Sequence, residues 1–235
     1  MTDFKYEGKD LEAMSFAHNY HRWILSKFQK FLGKRVAEVG AGSGNFSLLI
    51  LGQPIEELVA IEPSPAMFSQ HIQNTATDTR VKRHNAFFPE ISPKYPDYFD
   101  SIVYVNVMEH VEKDAEELSH VHQSLKKGGR VCIFVPALAW LYSNHDKSIG
   151  HYRRYHKKDL IQLLEQAGFE VEQINYFDII GIIPWLIICK FLGKEPNTSN
   201  VSVYDRLIVP IGKFIENIIP PPIGKNLLVV GRKKI

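Results

Sequence analysis

The segment Val36-Ala37-Glu38-Val39-Gly40-Ala41-Gly42-Ser43-Gly44-Asn45-Phe46 decides the fold. Its apolar, partly β-branched beginning predicts a buried strand, which ends on glycines at alternate positions. A helical pattern of apolar residues then begins near Asn45 and continues to Leu51. Glycines at such a turn allow the backbone to approach a ligand closely, and the N–H groups at the start of the helix point toward that ligand. The segment therefore predicts a strand–turn–helix unit that binds a cofactor.

The spacing of the glycines distinguishes between cofactors. A dinucleotide fingerprint has glycines at relative positions one, three and six, whereas here they stand at one, three and five and Asn45 takes the sixth place. With an acidic residue two places before the first glycine, the segment resembles motif I of the class I S-adenosylmethionine (SAM) methyltransferases. The resemblance implies a loop around the methionyl part of SAM, with these cofactor-binding residues: Glu38, Gly40, Ala41, Gly42, Gly44 and Asn45.

Two other functions stay open at this stage. A nicotinamide-dependent oxidoreductase on a related fold requires the glycine that Asn45 replaces. A non-catalytic SAM-binding or scaffold protein would keep the fold and the cofactor loop without the chemistry.

Polar residues also follow the next two predicted strands. Leu58 to Ile61 reads as a strand that ends on Glu62, eighteen residues after Gly44 and near the spacing of a ribose-binding acid. A carboxylate accepts two hydrogen bonds at once from a vicinal diol. Pro63 precedes a helix whose Met67 we expect against the adenine. After the strand at 80–84, Asn85-Ala86 stands where the family usually has Asp-Ala, and the Asn85 amide oxygen can still accept a bond from the adenine amino group.

The fourth predicted strand, residues 99–105, leads into Asn106-Val107-Met108-Glu109-His110-Val111. This segment resembles motif IV of small-molecule methyltransferases, which implies that Asn106 and Val107 pass beside the methyl group. The signatures of DNA amino-methyltransferases and arginine methyltransferases are missing, which favours a small-molecule acceptor over nucleic acid or protein. His110 is either a general base, since its ordinary pKa lies near neutrality, or a cap for the following helix.

The segment 136–156 is the least generic part of the chain, and it ends in Gly150-His151-Tyr152-Arg153-Arg154-Tyr155. It resembles the Gly-His-x-Arg-Arg-Tyr segment of a subset of bacterial class I enzymes similar to methyltransferase types 11 and 12. Here His151 is a candidate proton acceptor. The two arginines between tyrosines, Arg153 and Arg154, are candidates for clamping a phosphate or carboxylate, and Tyr155 is a further catalytic candidate. A purely structural corner is the alternative. Asn144, His145, Asp146 and His151 match no established ligand spacing, so no metal is predicted.

Strands and helices alternate along the chain, which predicts a parallel sheet with helices on both faces and ligands at the carboxyl ends of its strands. The resemblance implies an α/β, Rossmann-like sheet of seven strands, whose last strand is antiparallel. We expect a single domain, residues 1–235, with a helical cover at 1–32 and an apolar helical insertion at 179–225. Tyr20 of the cover is a further catalytic candidate.

The insertion is apolar almost all round its first helix, so that surface must be buried or paired. Core packing, a pocket for a hydrophobic acceptor, a dimer interface and peripheral contact of residues 179–219 with a membrane all remain open. Residues 196–200 read as a loop, and Pro210 should kink or break the second helix.

The composition is that of an ordinary soluble protein, with 45% hydrophobic and 23% charged residues and a net charge of +2. This balance does not indicate a nucleic-acid binder. The two cysteines lie in apolar runs, which favours buried thiols and a reducing compartment, the cytoplasm. No apolar run is long enough to span a bilayer, and the N-terminus has no export signal.

Overall fold

The computed structural model describes residues 17–194 and 198–234. Its centre is one sheet of seven strands. The strands are β1 (Arg35–Val39), β2 (Glu57–Ile61), β3 (Val81–His84), β4 (Phe99–Val105), β5 (Leu125–Pro136), β6 (Phe169–Phe177) and β7 (Asn226–Lys233).

Helices connect the strands. They are α1 (His18–Phe28), α2 (Asn45–Leu51), α3 (Pro65–Asn74), α4 (Phe88–Ile91), α5 (Asp114–Ser124), α6 (Asn144–Ser148), α7 (Lys157–Gln166), α8 (Ile182–Trp185), α9 (Thr198–Val203) and α10 (Val209–Ile218). Short 3₁₀ turns lie at Gln29–Phe31, Ser92–Lys94, Met108–His110 and Ala139–Leu141.

The strand order is β3-β2-β1-β4-β5-β7-β6. Strands β1 to β5 pair in parallel, and β7 runs antiparallel to both of its neighbours, β5 and β6. The predicted seven-stranded, Rossmann-like sheet with an antiparallel last strand is confirmed. The order reverses at β1 and β4, and an open α/β sheet binds its ligand in the crevice beside that point.

One predicted turn is part of a strand. The sequence Lys126 to Arg130 indicates a turn that precedes β5, but the structure includes these residues in β5. They form an irregularity opposite β4, where Phe99 pairs with Leu125 and Ser101 already pairs with Arg130. Gly128 accommodates the extra residues because it adopts a positive φ of 74°.

Each face of the sheet has its own apolar core. On β1, Ala37 and Val39 pack into one core and Val36 packs into the other, as alternation along a strand requires. All three are buried, so β1 is covered by helices on both faces. Such burial fixes the loop that follows β1 in space.

The cover helix α1 and the insertion pack against each other. The N-cap residue of α1 is Ala17, whose side chain cannot accept a hydrogen bond from the first turn of the helix. Instead the Asp205 carboxylate accepts hydrogen bonds from the backbone N–H of Asn19, at 3.0 Å, and of Tyr20, at 2.8 Å. The insertion therefore caps the first described helix of the chain. Leu11 and Met14, which the sequence assigns to the same helix, lie outside the described residues.

The insertion contains two helices that are interrupted by π turns, at Leu186–Phe191 and at Tyr204–Ile208. The second π turn lies directly before Pro210, where the sequence predicts a kink. The predicted loop at 196–200 is wrong in its last three residues, because α9 begins at Thr198. Within residues 17–194 and 198–234, no helix has the length and apolar character needed to cross a bilayer.

Candidate active site

A cleft opens at the carboxyl ends of β1, β4 and β5, as predicted. Its walls include predicted cofactor residues from the β1 loop and predicted catalytic residues from later segments. Among the predicted residues, these line the cleft: Tyr20, Glu38, Gly40, Ala41, Gly42, Asn45, Asn106, His110 and His151. Arg154, one of the two predicted clamp arginines, also lines it. Phe134, Trp185 and Lys225 line it too, although the sequence did not mark them as site residues.

The glycine loop has the backbone that its sequence indicates. Gly40, Gly42 and Gly44 all have positive φ, between 53° and 91°. A Cβ at Gly40 would lie 2.4 Å from a methyl carbon of Val107, so a larger residue there would displace the segment after β4. The side chain of Val107, a predicted cofactor residue, therefore packs directly against Gly40 of the loop.

Glu38 is the buried carboxylate of this loop. It is 4% exposed and accepts a hydrogen bond from the Ser47 hydroxyl, whose oxygen lies 2.9 Å from Nε2 of His71. Burial raises the pKa of Glu38 to about 8, although the bond from Ser47 opposes the shift. Burial also lowers the pKa of His71 to about 4, so this imidazole is neutral beside the acid. No sequence signal identifies Ser47 and His71, because they lie on α2 and α3 within ordinary helical patterns.

Glu62 lies against the loop and does not line the cleft. One of its oxygens accepts from the N–H of Gly42 and the other from the N–H of Ser64, both at 2.8 Å. The amide nitrogen of Asn85 donates to the carbonyl of Glu62 at 2.8 Å and to that of Pro63 at 3.1 Å. These contacts connect the ends of β1, β2 and β3, and each Glu62 oxygen keeps a second lone pair beside its backbone donor. The ribose and adenine contacts of Glu62 and Asn85 stay predictions.

The remaining predicted cofactor residues surround this group without lining the cleft. Pro63 and Met67 lie at the N-terminal end of α3, where the Ser64 hydroxyl accepts from the N–H of Met67 at 3.5 Å. Ala86 packs against the core beneath the end of β3. Gly44 is the N-cap of α2, facing His71.

His151 and Asp146 form a pair at the other end of the cleft. Nδ1 of His151 lies 3.0 Å from the carboxylate of Asp146, which is completely buried. Asp146 also accepts from Arg154 at 2.9 Å and from the Ser143 hydroxyl at 2.8 Å. Burial by itself would raise the pKa of Asp146. The hydrogen bond from His151 and the charge of Arg154 outweigh this effect and lower the pKa to about 2. Because this ionised carboxylate only accepts hydrogen bonds, the proton of a neutral His151 lies on Nδ1 and leaves Nε2 able to take a proton.

His110 is a weaker candidate base. Its ring lies 4.6 Å from that of His151, centroid to centroid, at an interplanar angle of 78°. Burial and the neighbouring His151 lower its pKa to about 3, so protonation of His110 near neutrality is strongly unfavourable. The alternative role as a helix cap is wrong, because α5 begins four residues later with Lys113 as its N-cap.

Arg153 and Tyr155 point away from the cleft, so the predicted anion clamp is not formed by them. The guanidinium of Arg153 donates to Asp114 at 2.7 Å and to the carbonyl of Glu112 at 2.6 Å. The Tyr155 hydroxyl contacts the same Asp114 and donates to the carbonyl of Met108, both at 3.0 Å. Consecutive side chains of an extended segment point in opposite directions, so Arg154 faces the cleft instead.

Tyr20 lines the cleft, but its hydroxyl is committed to the protein. It donates to Asp178 at 3.0 Å and accepts from the amide of Asn226 at 2.6 Å. Burial, with the nearby Asp178, raises the pKa of Tyr20 well above its usual value. These contacts indicate a positioning role between α1 and the sheet.

Glu109, His110 and His151 offer one ligand atom each, and these atoms lie within 4.8 Å of one another. Two imidazoles and a carboxylate are a donor set that divalent transition metals accept. The sequence predicted no metal, and its spacing argument considered a different set of residues. Glu109 follows β4 and His151 follows α6, so only the fold brings them together.

Comparison with known proteins places the chain among methyltransferases. A family model described as a methyltransferase domain matches residues 15–174. A crystal structure of a SAM-dependent methyltransferase from Archaeoglobus fulgidus superposes with a TM-score of 0.59 and 22% identity, over 91% of this chain and 94% of that one. This likeness shows the fold.

Two curated relatives match this chain over only part of their own length. "Probable polyketide synthase 41" of Dictyostelium discoideum is 22% identical over 78% of this chain and 8% of its own length. The tRNA U34 carboxymethyltransferase of Psychrobacter arcticus is 24% identical over 54% of this chain and 40% of its own length. The chain therefore spans less than half of either relative.

Proposed function

This chain belongs to the methyltransferase domain family, whose cofactor is S-adenosyl-L-methionine, and on that premise we propose that it methylates a small-molecule acceptor. The observation that carries this proposal is the arrangement of the cleft. The positive-φ glycine loop and Glu38 line one part of the cleft, and His151, held by the buried Asp146, lines another. A cofactor in the loop and an acceptor at His151 would then share one cavity.

SAM supplies an activated methyl group with its own leaving group. The protein therefore has to align the acceptor with that group and exclude water, which accounts for a large part of the barrier. The apolar walls at Phe134, Trp185 and Val201 serve this purpose on the acceptor side. Glu38 lies where the amino group of the methionyl part is expected, and ionisation of its carboxyl would complement that positive charge.

His151 is the residue proposed to receive the proton of a hydroxyl or a protonated amine. Asp146 fixes the protonated Nδ1, and Nε2, on the other side of the ring, lies 3.8 Å from the carboxylate of Glu109, which also lines the cleft. As the acceptor atom bonds to the methyl carbon and the carbon–sulfur bond breaks, the proton of the acceptor would pass to Nε2 of His151. Asp146 then stabilises the imidazolium.

The acceptor class rests on the sequence motifs and on the shape of the cleft. The aromatic and apolar lining fits a small organic molecule. One curated relative is named as a tRNA enzyme, so RNA is the alternative acceptor, and transfer of labelled methyl groups to tRNA or to organic extracts separates the two. We retain the cytoplasm as the proposed location, since the two cysteines are buried free thiols.

We also propose that the insertion contacts an anionic lipid surface. The described part of residues 182–219 exposes eleven large apolar side chains: Ile183, Ile187, Phe191, Leu192, Val203, Leu207, Ile211, Phe214, Ile215, Ile218 and Ile219. Its exposed charged residues are Lys190, Lys194 and Arg206, whereas Asp205 and Glu216 are buried. An apolar face with exposed cations is the usual composition of a peripheral lipid-binding surface.

Isothermal titration with S-adenosylhomocysteine tests the proposed function. We expect one site per chain, and we expect no fluorescence change with NADH, because Asn45 replaces the glycine that a pyrophosphate needs. Absence of heat at millimolar ligand would contradict the proposal. Binding without turnover on any extract would favour the non-catalytic alternative.

A further inference from the structure

A second cavity of about 160 Å³ lies within the insertion, beside the cleft. Its walls come from α1, from α8 with the π turn that follows it, and from α9 with the π turn at Tyr204–Ile208. They include Pro184, Ile188, Cys189 and Tyr204. These walls are predominantly apolar. An apolar cavity of about 150 Å³ stays dry and binds a hydrocarbon such as benzene, so this cavity has the size and lining for hydrocarbon.

The second cavity adjoins the acceptor end of the cleft. Four residues line both spaces: Tyr20, Trp185, Val201 and Lys225. The two spaces are therefore adjacent, with Trp185 and Val201 at their junction. Trp185 also donates from its indole nitrogen to the carbonyl of Leu141 at 3.2 Å, which holds the ring at the junction.

The charged groups around the second cavity are matched within the protein. Asp205 accepts from the backbone of Asn19 and Tyr20. Asp178 accepts from Tyr20 and Tyr204 and forms an ion pair of 3.0 Å with Lys225. A polar ligand would have to displace these bonds, whereas a hydrocarbon would displace none of them.

We propose that the second cavity holds the hydrocarbon chain of an amphiphilic methyl acceptor, whose polar end lies in the cleft near His151. This inference rests on the proposed function for the identity of the reaction and deepens it by naming the acceptor class. The same segments expose Ile183, Ile187 and Phe191 on their outer surface. The second cavity therefore lies in a segment whose outer surface is also apolar.

The test uses bromine-labelled straight-chain carboxylic acids, from butanoate to hexadecanoate, as probes with the full-length chain. Bromine quenches a tryptophan that it contacts, and Trp185 lies in the cavity wall. We expect saturable quenching at one site, with an affinity that rises about fourfold for each added methylene until the cavity is full. Trp185→Phe should remove most of the quenching and leave the binding detectable by titration calorimetry.

Ile188→Trp fills the second cavity without touching the cleft, because Ile188 lines only that space. It should abolish the dependence on chain length, and the smaller Ile188→Phe should shorten the longest chain accommodated. Ile187→Trp is the matched control, since Ile187 is the neighbouring residue and is half exposed. Affinity for S-adenosylhomocysteine and the melting temperature, measured for each variant, separate cavity filling from loss of fold.

Equal affinity for short and long probes, or equal loss in Ile187→Trp and Ile188→Trp, would overturn the inference. If probes bind as expected but S-adenosylhomocysteine does not bind the wild type, the proposed function fails while the apolar site stands. If the cofactor product binds and the probes show no chain dependence, only the acceptor class fails.

Discussion

At the scale of single residues, the predicted site residues depend on partners that the sequence does not mark. Glu38 is predicted from the glycine spacing, but its raised pKa arises from burial, beside Ser47 and His71. His151 is predicted from its segment, but Asp146 fixes its tautomer. The local sequence around each partner gives no signal of this role, because the contact depends on the direction of the side chain, which tertiary packing determines.

The raised pKa of Glu38 predicts a specific pH dependence of stability. The folded protein retains this proton up to about pH 8, whereas the unfolded chain loses it near the ordinary value of 4.5. The folded state therefore binds more protons in this range, and its stability falls as pH rises. The lowered pKa values of three histidines have the opposite effect, so that stability rises with pH, but only up to about pH 6.5, where these residues are neutral in the unfolded chain as well. They are His21, His71 and His110. We expect the free energy of unfolding of the wild type to fall by up to about 2 kcal/mol between pH 6.5 and 8 because of Glu38, and we expect Glu38→Gln to lack this decrease.

Urea unfolding of the ligand-free protein at several pH values measures this effect. Glu56→Gln is the control, since the Glu56 side chain is 67% exposed. Parallel pH profiles for the wild type and Glu38→Gln would show that Glu38 titrates normally.

The His151–Asp146 pair predicts how activity responds to substitution. His151→Ala removes the proton acceptor and should lower kcat by about a hundredfold or more, with little change in affinity for S-adenosylhomocysteine. Asp146→Asn should also lower kcat, because an amide cannot stabilise the imidazolium. Steady-state kinetics on an identified acceptor, together with calorimetry, measure both quantities.

Arg153→Ala provides the matched control for this prediction. Its guanidinium contacts Asp114 and Glu112, outside the cleft, so we expect kcat to change much less than in His151→Ala. Dialysis against a chelator should leave turnover unchanged. Activity that is lost on chelation and restored by a divalent metal would instead assign Glu109, His110 and His151 to a metal site.

At the scale of elements, regular patterns were predictable and irregular ones were not. The strands β1, β2 and β4 were predicted within one residue at each end, because buried parallel strands give continuous apolar runs. The segment 150–155 has no such period, and the sequence therefore did not decide whether Arg153 or Arg154 faces the cleft. The π turns of the insertion were also not predictable, since they respond to packing and to the prolines.

Capping of α1 by Asp205 predicts a large local contribution to stability. Asp205→Ala leaves the N–H groups of Asn19 and Tyr20 without their acceptor in a buried place. We expect a loss of about 1–3 kcal/mol in the free energy of unfolding, measured in urea. Arg206→Ala, at the exposed neighbouring position, should change it by less than about 0.5 kcal/mol. Equal losses in both variants would contradict the capping role.

At the scale of the whole molecule, alternation of strands and helices was sufficient to predict the sheet and the edge at which the site lies. The family, its cofactor and the fold inferred from motif I were confirmed by the comparisons. The position of the insertion over the cleft was not predictable from an apolar pattern alone. An apolar pattern is equally compatible with core packing, a protein interface or contact with lipid. Only the exposure of the side chains in the folded structure distinguishes between these roles.

The apolar and cationic face of the insertion predicts binding to anionic vesicles. We expect the protein to sediment with vesicles that contain phosphatidylserine and much less with pure phosphatidylcholine, and added salt should weaken the association. The double variant Phe214→Ser and Ile218→Ser should reduce binding several-fold. Ile72→Ser, at an exposed apolar position on α3, is the control. Equal sedimentation of the two variants would exclude this face as the lipid contact.

The contact between Asp205 and α1 joins residues that are more than 180 positions apart. During synthesis, helix α1 thus lacks its cap until residue 205 has left the ribosome. The insertion also supplies Trp185 and Val201 to the cleft, so the lining of the cleft is complete only after strands β1 to β6, which precede the insertion in the chain, have been synthesised.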